Sequence, residues 1–298
     1  MNIVFTADLH LNIPARSPRT GRTAFEVFAE VIELENPDAV VVAGDIGTPT
    51  QSARHLVALR NAVGDRLLAI TLGNHDFWLD STEHTQFSNL SQVVTRYWRE
   101  PARDVGAVLL DLENAIVGDL AIVGGYGHFD LGLAEPNLHV QGRRITEAIY
   151  LSGGMNGLFW NDFRYIPNCG TRVREEAKEQ ASGLASRMDA AISAGKRLLV
   201  AVHTCPWREL NGHPLRGNES DILAAYSGNS LLGKEIERRA GHVDFLVCGH
   251  THVPVPDQEL HSIRCLNVGA DYGRFRGVMY DADTRQIRWV GEPVPDAA

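Results

Sequence analysis

Several features that define other classes of protein are scarce or missing in this chain of 298 residues. Its four cysteines, Cys169, Cys205, Cys248 and Cys265, form no C-x-x-C pair and no zinc-finger spacing, which favours free thiols over a disulfide framework. The longest apolar runs, such as AVVVA at 39–43, are far shorter than the roughly 20 residues that span a bilayer. The formal net charge is −9, which argues against a protein that grips nucleic acid through a broad basic face.

Boundaries between domains are also absent from the sequence. We find no low-complexity tract, no repeat of fixed period and no Pro/Ser-rich linker, so we expect one domain over residues 1–298. The opening apolar run is broken by Asp8 and follows no basic segment, unlike the apolar core of a signal peptide. Together with the expected free thiols, this predicts a cytoplasmic protein without membrane contact. The oligomeric state cannot be predicted from these features.

Short β-branched runs alternate with amphipathic stretches along most of the chain. This alternation, followed by a strand-rich end, is typical of helices that flank layered sheets. The predicted strands are Ile3–Thr6, Ala39–Ala43, Leu67–Thr71, Ala121–Gly124, Leu198–Val202, Phe245–Cys248, Ile263–Asn267, Val278–Tyr280 and Ile287–Val290. The predicted helices cover residues 23–35, 52–63, 87–100, 173–194 and 230–240.

The segment 126–171 has the weakest pattern and is rich in glycine and aromatic residues. One interpretation is a long, ordered surface excursion. The other is a lid or an insertion on the substrate side, because long loops in compact domains are often functional. The sequence favours neither.

Residues that can bind a metal follow five of the predicted strands. They stand in the motifs Asp8-x-His10, Gly44-Asp45, Gly73-Asn74-His75-Asp76, His203 and Gly249-His250-x-His252. Because ligands of open α/β sheets bind beyond the carboxyl ends of the strands, these five loops are expected to meet at one edge. The glycines before the ligands are expected to let the chain turn sharply there.

Each of these residues alone is a weak indication of function. A single Asp after a strand is commonly a turn residue, an Asn there commonly caps a helix, and a single His is more often structural than a ligand. The same kind of residue at five separate strand ends is much harder to attribute to chance. The joint pattern therefore indicates a site.

The predicted ligand set is mixed in chemistry. Two carboxylates, one amide and four imidazoles are too many for one tetrahedral ion and suit two open-sided ions. The predicted ligands are Asp8, His10, Asp45, Asn74, His203, His250 and His252. Without a thiolate, the set favours Mn, Fe, Zn or Ni, divalent or trivalent, and Mn²⁺ is the ion expected to support activity in vitro. Two such ions can clamp a phosphoryl group and activate a water molecule, which predicts a dinuclear phosphoester hydrolase.

These five motifs, in this order, resemble those of the calcineurin-like metallophosphoesterase superfamily. The resemblance runs from residue 3 to about 270 and implies a four-layer αββα sandwich with two mixed sheets. It also implies roles for the ligands: Asp8, His10 and His252 for one metal, Asn74, His203 and His250 for the other, and Asp45 bridging both. It further implies that His75 is the catalytic histidine, which binds phosphate and protonates the leaving group, and that Asp76 orients it.

Departures from the family narrow the expected substrate. The Ser/Thr protein phosphatase branch continues its second motif into Asp-Arg-Gly, whereas this chain continues Asp45-Ile46-Gly47 without an arginine. A protein phosphatase of that branch is therefore not expected. Arg16, Arg19 and Arg22 follow the first motif and form either a solvated loop, which we favour, or a phosphate-gripping loop at the mouth of the site.

The leading hypothesis is thus hydrolysis of a phosphomonoester or phosphodiester that is a small molecule or a nucleotide. A nuclease acting on DNA or RNA ends is the main alternative; the acidic charge and the lack of extra domains weaken it. A non-catalytic metal-binding scaffold of the same fold is the other. Such scaffolds usually lose ligands or the catalytic histidine, and this chain keeps all of them.

Overall fold

Two six-stranded sheets form the centre of the protein. The structure is a computed structural model that describes residues 1–80 and 82–293. The strands of the first sheet, in spatial order, are Ile287–Gly291, Arg276–Asp281, Asn2–Thr6, Ala39–Ala43, Leu67–Thr71 and Val108–Leu109. Those of the second are Val255–Leu260, Ile263–Asn267, Val243–Cys248, Arg197–Val202, Leu120–Gly125 and Ala115–Val117.

Both sheets are mixed, with parallel strands at their centres. In the first sheet, Asn2–Thr6 pairs in parallel with Ala39–Ala43 and antiparallel with Arg276–Asp281. In the second, Arg197–Val202 pairs in parallel with both of its neighbours. Parallel strands share one direction, so their carboxyl ends, and the loops that follow them, lie at the same edge of each sheet.

The sheets and helices form four layers, with an apolar core between each pair of neighbouring layers. One core lies between the sheets, where Phe5 of the first sheet packs edge-to-face on Phe245 of the second at 5.8 Å between ring centroids. The outer face of the first sheet packs against helices through residues such as Val40 and Phe28. The outer face of the second packs against other helices through residues such as Val200 and Met188. The predicted four-layer αββα sandwich is therefore confirmed.

The helices agree with their predicted positions to within a few residues at most ends. The α-helical segments are Ala24–Glu35, Ser52–Val63, Leu90–Val93, Arg99–Asp104, Glu147–Leu151, Asp162–Tyr165, Cys169–Ser193 and Ser230–Glu237, with a π-helical turn at Val94–Trp98. Turns of 3₁₀ helix cover Pro49–Gln51, His75–Phe77, His84–Gln86, Arg208–Leu210, Glu219–Tyr226 and Ala240–His242. The start of Ala24–Glu35 shows how the sequence fixes an end: Thr23 and Glu26 form a reciprocal capping box there.

The predicted helix 87–100 differs most from what the structure shows. It begins at Leu90, runs to Asp104 and is interrupted by the π turn. Pro101 has no N–H to offer the carbonyl of Tyr97, and that carbonyl accepts a hydrogen bond from the Ser52 hydroxyl instead. A regular helix is thus disturbed where proline removes one of its hydrogen bonds.

The segment 126–171 is packed, with much of its apolar surface buried. It contains the short helices named above and two small hairpins, His139–Val140 with Arg143–Arg144 and Gly154–Met155 with Leu158–Phe159. Phe129 and Ile166 are almost completely buried in the core on the outer face of the first sheet. Of the helices within residues 1–80 and 82–293, none combines the length and the apolar character that crossing a membrane requires.

Candidate metal centre

The loops that follow five strands of the two sheets meet at one edge of the sandwich. They follow Asn2–Thr6, Ala39–Ala43 and Leu67–Thr71 in the first sheet, and Arg197–Val202 and Val243–Cys248 in the second. Backbone hydrogen bonds join the loops to one another, for example from the N–H of Asp8 to the carbonyl of Gly44. All seven predicted ligands are carried by these loops, in two adjoining groups.

The first group contains two carboxylates and two imidazoles. One ligand atom from each of Asp8, His10, Asp45 and His252 lies within 4.8 Å of all the others, so the four residues could hold a metal ion. Nε2 of His252 is 3.6 Å from Oδ1 of Asp8 and 3.3 Å from Nε2 of His10. Nε2 of His10 is 3.6 Å from Oδ2 of Asp45.

The second group is neutral except where it meets Asp45. Oδ1 of Asn74 lies 3.1 Å from Nε2 of His203 and 3.1 Å from Nδ1 of His250. These two ring nitrogens are 3.2 Å apart. Oδ1 of Asp45 is 3.4 Å from Nε2 of His203. Asp45 therefore directs one carboxylate oxygen at each group.

The protonation of three histidines follows from the partners of their outer nitrogens. A carbonyl oxygen can only accept, so Nδ1 of His203 donates to Ala43 at 2.9 Å, and Nε2 of His250 donates to Tyr226 at 3.1 Å. Nδ1 of His252 lies 3.2 Å from the carboxylate of Asp271, which fixes that ring in the same way. Burial lowers the pKa of His203 and of His250, so these two rings are neutral near pH 7 and their inner nitrogens carry lone pairs that face the centre of the site.

Lone pairs that face one another at about 3 Å repel unless a proton or a cation lies between them. The inner nitrogens of His203 and His250 and the oxygen of Asn74 are all acceptors, and Oδ2 of Asp45 is buried without a hydrogen-bond partner among the described residues. Oxygen and imidazole nitrogen are the ligands that first-row metal ions accept. The donor set present therefore fits cations.

The pKa values of the ligand residues show how burial and neighbouring charges act on them. Burial, with the charges of Asp8 and Asp76, raises the pKa of Asp45 well above its usual range. Burial lowers the pKa of His250 to about 4. Burial also opposes a charge on His252, but Asp271 and Asp8 outweigh it and raise the pKa of that ring to about 10. A bound cation would stabilise the charged carboxylates and the neutral imidazoles together.

Left-handed backbone is concentrated at the site. Five of the seven predicted ligands have positive φ, a conformation uncommon for residues other than glycine: Asp8 (56°), His10 (43°), Asp45 (53°), His250 (72°) and His252 (58°). Such backbone costs free energy and persists only where the surrounding structure enforces it, typically at functional sites.

The glycines that precede the ligands have two different functions. Gly44 has a φ of +88°, so it does permit the sharp turn that its position predicts. Gly73 and Gly249 do not have positive φ, so the bends that follow them do not depend on the left-handed backbone that glycine permits. A Cβ atom on Gly73 would lie 2.2 Å from Oδ1 of Asp45, and one on Gly249 would lie 2.5 Å from Oδ2 of Asp8. They are required because the carboxylates pass so close to the backbone.

His75 lies beside both groups without belonging to either. Its Nε2 is 3.9 Å from Oδ2 of Asp45, and its ring stacks on Trp78 with 3.6 Å between centroids. Burial, followed by the charges of neighbouring histidines, lowers the pKa of His75 to about 3, so the ring is neutral near pH 7.

Asp76 is expected to orient His75, but its carboxylate contacts other groups. Its carboxylate is buried and accepts hydrogen bonds from the backbone N–H groups of Ile46, Gly47 and Gly73. With its oxygens occupied in this way, Asp76 holds together the loops that carry Asp45 and Asn74. The His75 ring is held by Trp78 instead.

Several residues at the site could not be recognised from the sequence. Asp271 orients His252, and the ring of Tyr272 lies 4.6 Å from that of His10. Asp162 and Trp160 come from the segment 126–171, and Trp160 approaches His250 at 5.7 Å between centroids. The density of aromatic residues in GLFWNDFRY was the one available indication for the latter pair.

A cavity of about 420 Å³ opens beside the two groups. Residues of both ligand groups line it, namely Asp45, Asn74, His250 and His252, together with His75. Its lining is apolar over most of its area, with Trp160, Leu215 and Leu223, and it also includes the charged residues Arg216 and Asp221. Arg16, Arg19 and Arg22 are not among the residues that line this cavity, and Arg16 pairs with Glu26 while Arg22 pairs with Glu30.

The sequence matches the family of calcineurin-like phosphoesterases over residues 1–254. The chain therefore belongs to the calcineurin-like phosphoesterase family, which supports metal-dependent hydrolysis of phosphoesters in general. The strands beyond residue 254 complete both sheets. No match is found among curated proteins.

Solved structures with the same fold come from distant relatives. The protein TT1561 of Thermus thermophilus is 12% identical, with a TM-score of 0.53 and coverage of 97% of this chain and 98% of that chain. A dimetal phosphatase from Danio rerio is 15% identical, with a TM-score of 0.50 and coverage of 94% and 95%. A putative 5'-nucleotidase from Staphylococcus aureus is 15% identical, with a TM-score of 0.51; the match covers all of this chain but 55% of that chain. At these identities the likeness extends to the fold alone.

Proposed function

We propose that this protein hydrolyses phosphoesters with two cations held side by side at the strand ends. Each group of ligands takes one cation, and the shared carboxylate lies between them. The proposed ligands are Asp8, His10 and His252 for the first cation, Asn74, His203 and His250 for the second, and Asp45 for both.

One observation supports two cations above all others. Asp45 directs Oδ1 towards His203 at 3.4 Å and Oδ2 towards His10 at 3.6 Å, so a single short side chain reaches both groups. Its negative charge would also reduce the repulsion between two neighbouring cations. A site for one cation would need neither the second group nor a shared carboxylate.

When bound, the two cations would polarise the phosphoryl oxygens and supply a water nucleophile at neutral pH. The protein residues then bind and orient the ester. His75, stacked on Trp78, offers a ring nitrogen beside Asp45, where it can donate to a phosphate oxygen. An anionic ester in the cavity would raise the pKa of this ring, which allows His75 to pass a proton to the leaving oxygen.

The cavity supports a small substrate. About 420 Å³ lies within the range of small-molecule sites, and a largely apolar wall with a few polar groups is typical of them. Trp160 and Leu215 would contact an apolar or planar part of the ester, and Arg216 would favour a second anionic group. We therefore propose a small-molecule or nucleotide ester as the substrate, without a membrane partner.

A panel of model esters tests this function. The metal-stripped protein is assayed with p-nitrophenyl phosphate and bis-p-nitrophenyl phosphate after addition of Mn²⁺, Fe²⁺, Zn²⁺ or Ni²⁺, and with single-stranded DNA in parallel. We expect Mn²⁺ to restore hydrolysis of at least one small ester, and the ratio of the two rates will distinguish monoester from diester chemistry. Cleavage of DNA without hydrolysis of either small ester would contradict the proposed substrate class.

A further inference from the structure

A buried carboxylate outside the five motifs contacts the second ligand group. Asp162 begins the short helix Asp162–Tyr165 in the segment 126–171, and its side chain is fully buried. Oδ1 accepts hydrogen bonds from Nδ2 of Asn74 at 2.9 Å and from Nε1 of Trp78 at 2.7 Å. Oδ2 accepts one from Nε1 of Trp160 at 2.8 Å. All three partners of this carboxylate are therefore N–H donors.

The contact with Asn74 determines which way its carboxamide points. An ionised carboxylate can only accept, so the NH₂ group of Asn74 must face Asp162. The carboxamide oxygen must then face the opposite side, where it lies 3.1 Å from the inner nitrogens of both His203 and His250. Without Asp162, the amide could turn its NH₂ group into the ligand group, where it would repel a cation.

The other two contacts connect Asp162 with the rest of the site. Trp78 stacks on His75, and Trp160 forms part of the cavity wall. Trp160 also stacks on Tyr226 at 5.6 Å, and the carbonyl of Tyr226 accepts from Nε2 of His250. One carboxylate thus holds a proposed ligand, the support of the proposed catalytic histidine and a wall of the cavity.

We propose that Asp162 is a positioning residue for the second cation, through which the segment 126–171 forms an integral part of the site. This inference rests on the proposed function, because it requires that Asn74, His203 and His250 hold a cation. Of the two interpretations of this segment, it supports the substrate-side insertion, with Asp162 as the point of attachment.

The test is Asp162→Asn, which keeps the size of the side chain but cannot accept all three hydrogen bonds. Titration calorimetry of the metal-stripped protein with Mn²⁺ measures each cation separately. We expect affinity for the second cation to fall by roughly 10–100-fold, as is typical when a residue that orients a metal ligand is lost. Affinity for the first cation should stay at the wild-type value, and excess Mn²⁺ should restore part of the activity.

Asp130→Asn is the matched control from the same segment. Asp130 is also buried, and it accepts from the N–H groups of Gly132 and Leu231 and from the hydroxyl of Ser230, away from the ligand groups. This variant should lose stability but bind both cations as the wild type does. If Asp162→Asn does not fold, Asp162→Ala replaces it, since water can enter the space that the carboxylate leaves.

The outcomes separate the inference from the proposed function. Wild-type affinity for both cations in the Asp162 variant would overturn the inference, as would an equal loss of the second cation in Asp130→Asn. A wild-type protein that binds fewer than two Mn²⁺ ions would instead overturn the proposed function on which the inference rests.

Discussion

The first ligand group is anionic and includes one partly exposed imidazole, whereas the second is neutral and all three of its residues are buried. His252 of the first group keeps 21% of its side chain exposed, and its outer nitrogen is held by the side chain of Asp271 on a loop. In the second group, His203 is fully buried, and its outer nitrogen is held by the backbone carbonyl of Ala43, at the end of a central strand.

This difference indicates how the protonation of each ligand group would change when a cation binds. In the metal-free protein, the pKa of His252 is raised to about 10, so a proton must leave before a cation can bind there. The pKa of His250 is lowered to about 4, so that ring is already neutral at pH 7. The imidazoles of the second group can therefore bind a cation without losing a proton. In the first group, His252 must release a proton when a cation binds.

The largest expected effect comes from replacing Asp45, the carboxylate that the two ligand groups share. Asp45→Asn should weaken both cations and reduce activity to background, because an amide has one good donor oxygen and no charge. Asp8→Asn should weaken mainly the first cation, and Asn74→Ala mainly the second. Metal content and the thermal shift caused by added Mn²⁺ measure these losses, since ligands that bind the native state stabilise it.

The exposed Asp65 provides a control for this change, and Asp65→Asn should behave as the wild type does. If Asp45→Asn kept both cations and most of the activity, Asp45 would not be the shared ligand. The division of the site into two joined halves would then be wrong.

A smaller effect is expected from His75→Ala, which should leave both ligand groups able to bind a cation. Loss of a general acid typically costs about 10²–10⁴-fold, and kcat should fall by that factor while both Mn²⁺ ions still bind. The loss should be smaller for nitrophenyl esters than for phenyl esters, because nitrophenol needs little protonation to leave. His242→Ala, at an exposed position, is the control.

Equal losses in kcat for both leaving groups would remove the general-acid role of His75. Binding of phosphate would then be the remaining contribution. Loss of a cation in this variant would instead place His75 among the ligands.

The smallest expected effect is a difference between the two ligand groups in how their affinity for a cation depends on pH. Because His252 gives up a proton, affinity for the first cation should rise by about tenfold per pH unit between pH 6 and 9. Affinity for the second should depend less on pH over that range, since His250 titrates far below it and the raised pKa of Asp45 affects both cations. Calorimetry in buffers of different ionisation enthalpy counts the protons released.

Asp271→Asn tests whether His252 causes the pH dependence of the first cation. Without that carboxylate the pKa of His252 should fall, and the pH dependence of the first cation should become flatter. An identical slope for both cations in the wild type would contradict the contrast between the halves.

The parts of the protein that were predictable from the sequence are those fixed by regular strands. The seven ligands follow strands whose apolar runs are plain in the sequence, and parallel pairing brings their ends to one edge. The left-handed backbone at Asp8 and His250 is set by tertiary contacts between loops, so no local pattern reveals it. Asp162 and Asp271 lie in segments without periodicity, and only the folded chain brings them to the ligands.

Asp76 shows a different limit of sequence reasoning. The resemblance to the family implies that Asp76 orients His75, but the carboxylate of Asp76 accepts hydrogen bonds from three backbone N–H groups instead. Adjacent residues in a 3₁₀ turn point in different directions, so proximity in sequence is a poor guide to contact there.

Anomalous scattering from crystals grown with Mn²⁺ is the most direct test of two cations joined by Asp45. We expect two anomalous peaks, one bounded by Asp8, His10 and His252 and the other by Asn74, His203 and His250, with the carboxylate of Asp45 between them. A single peak, or two peaks of which only one contacts Asp45, would contradict it.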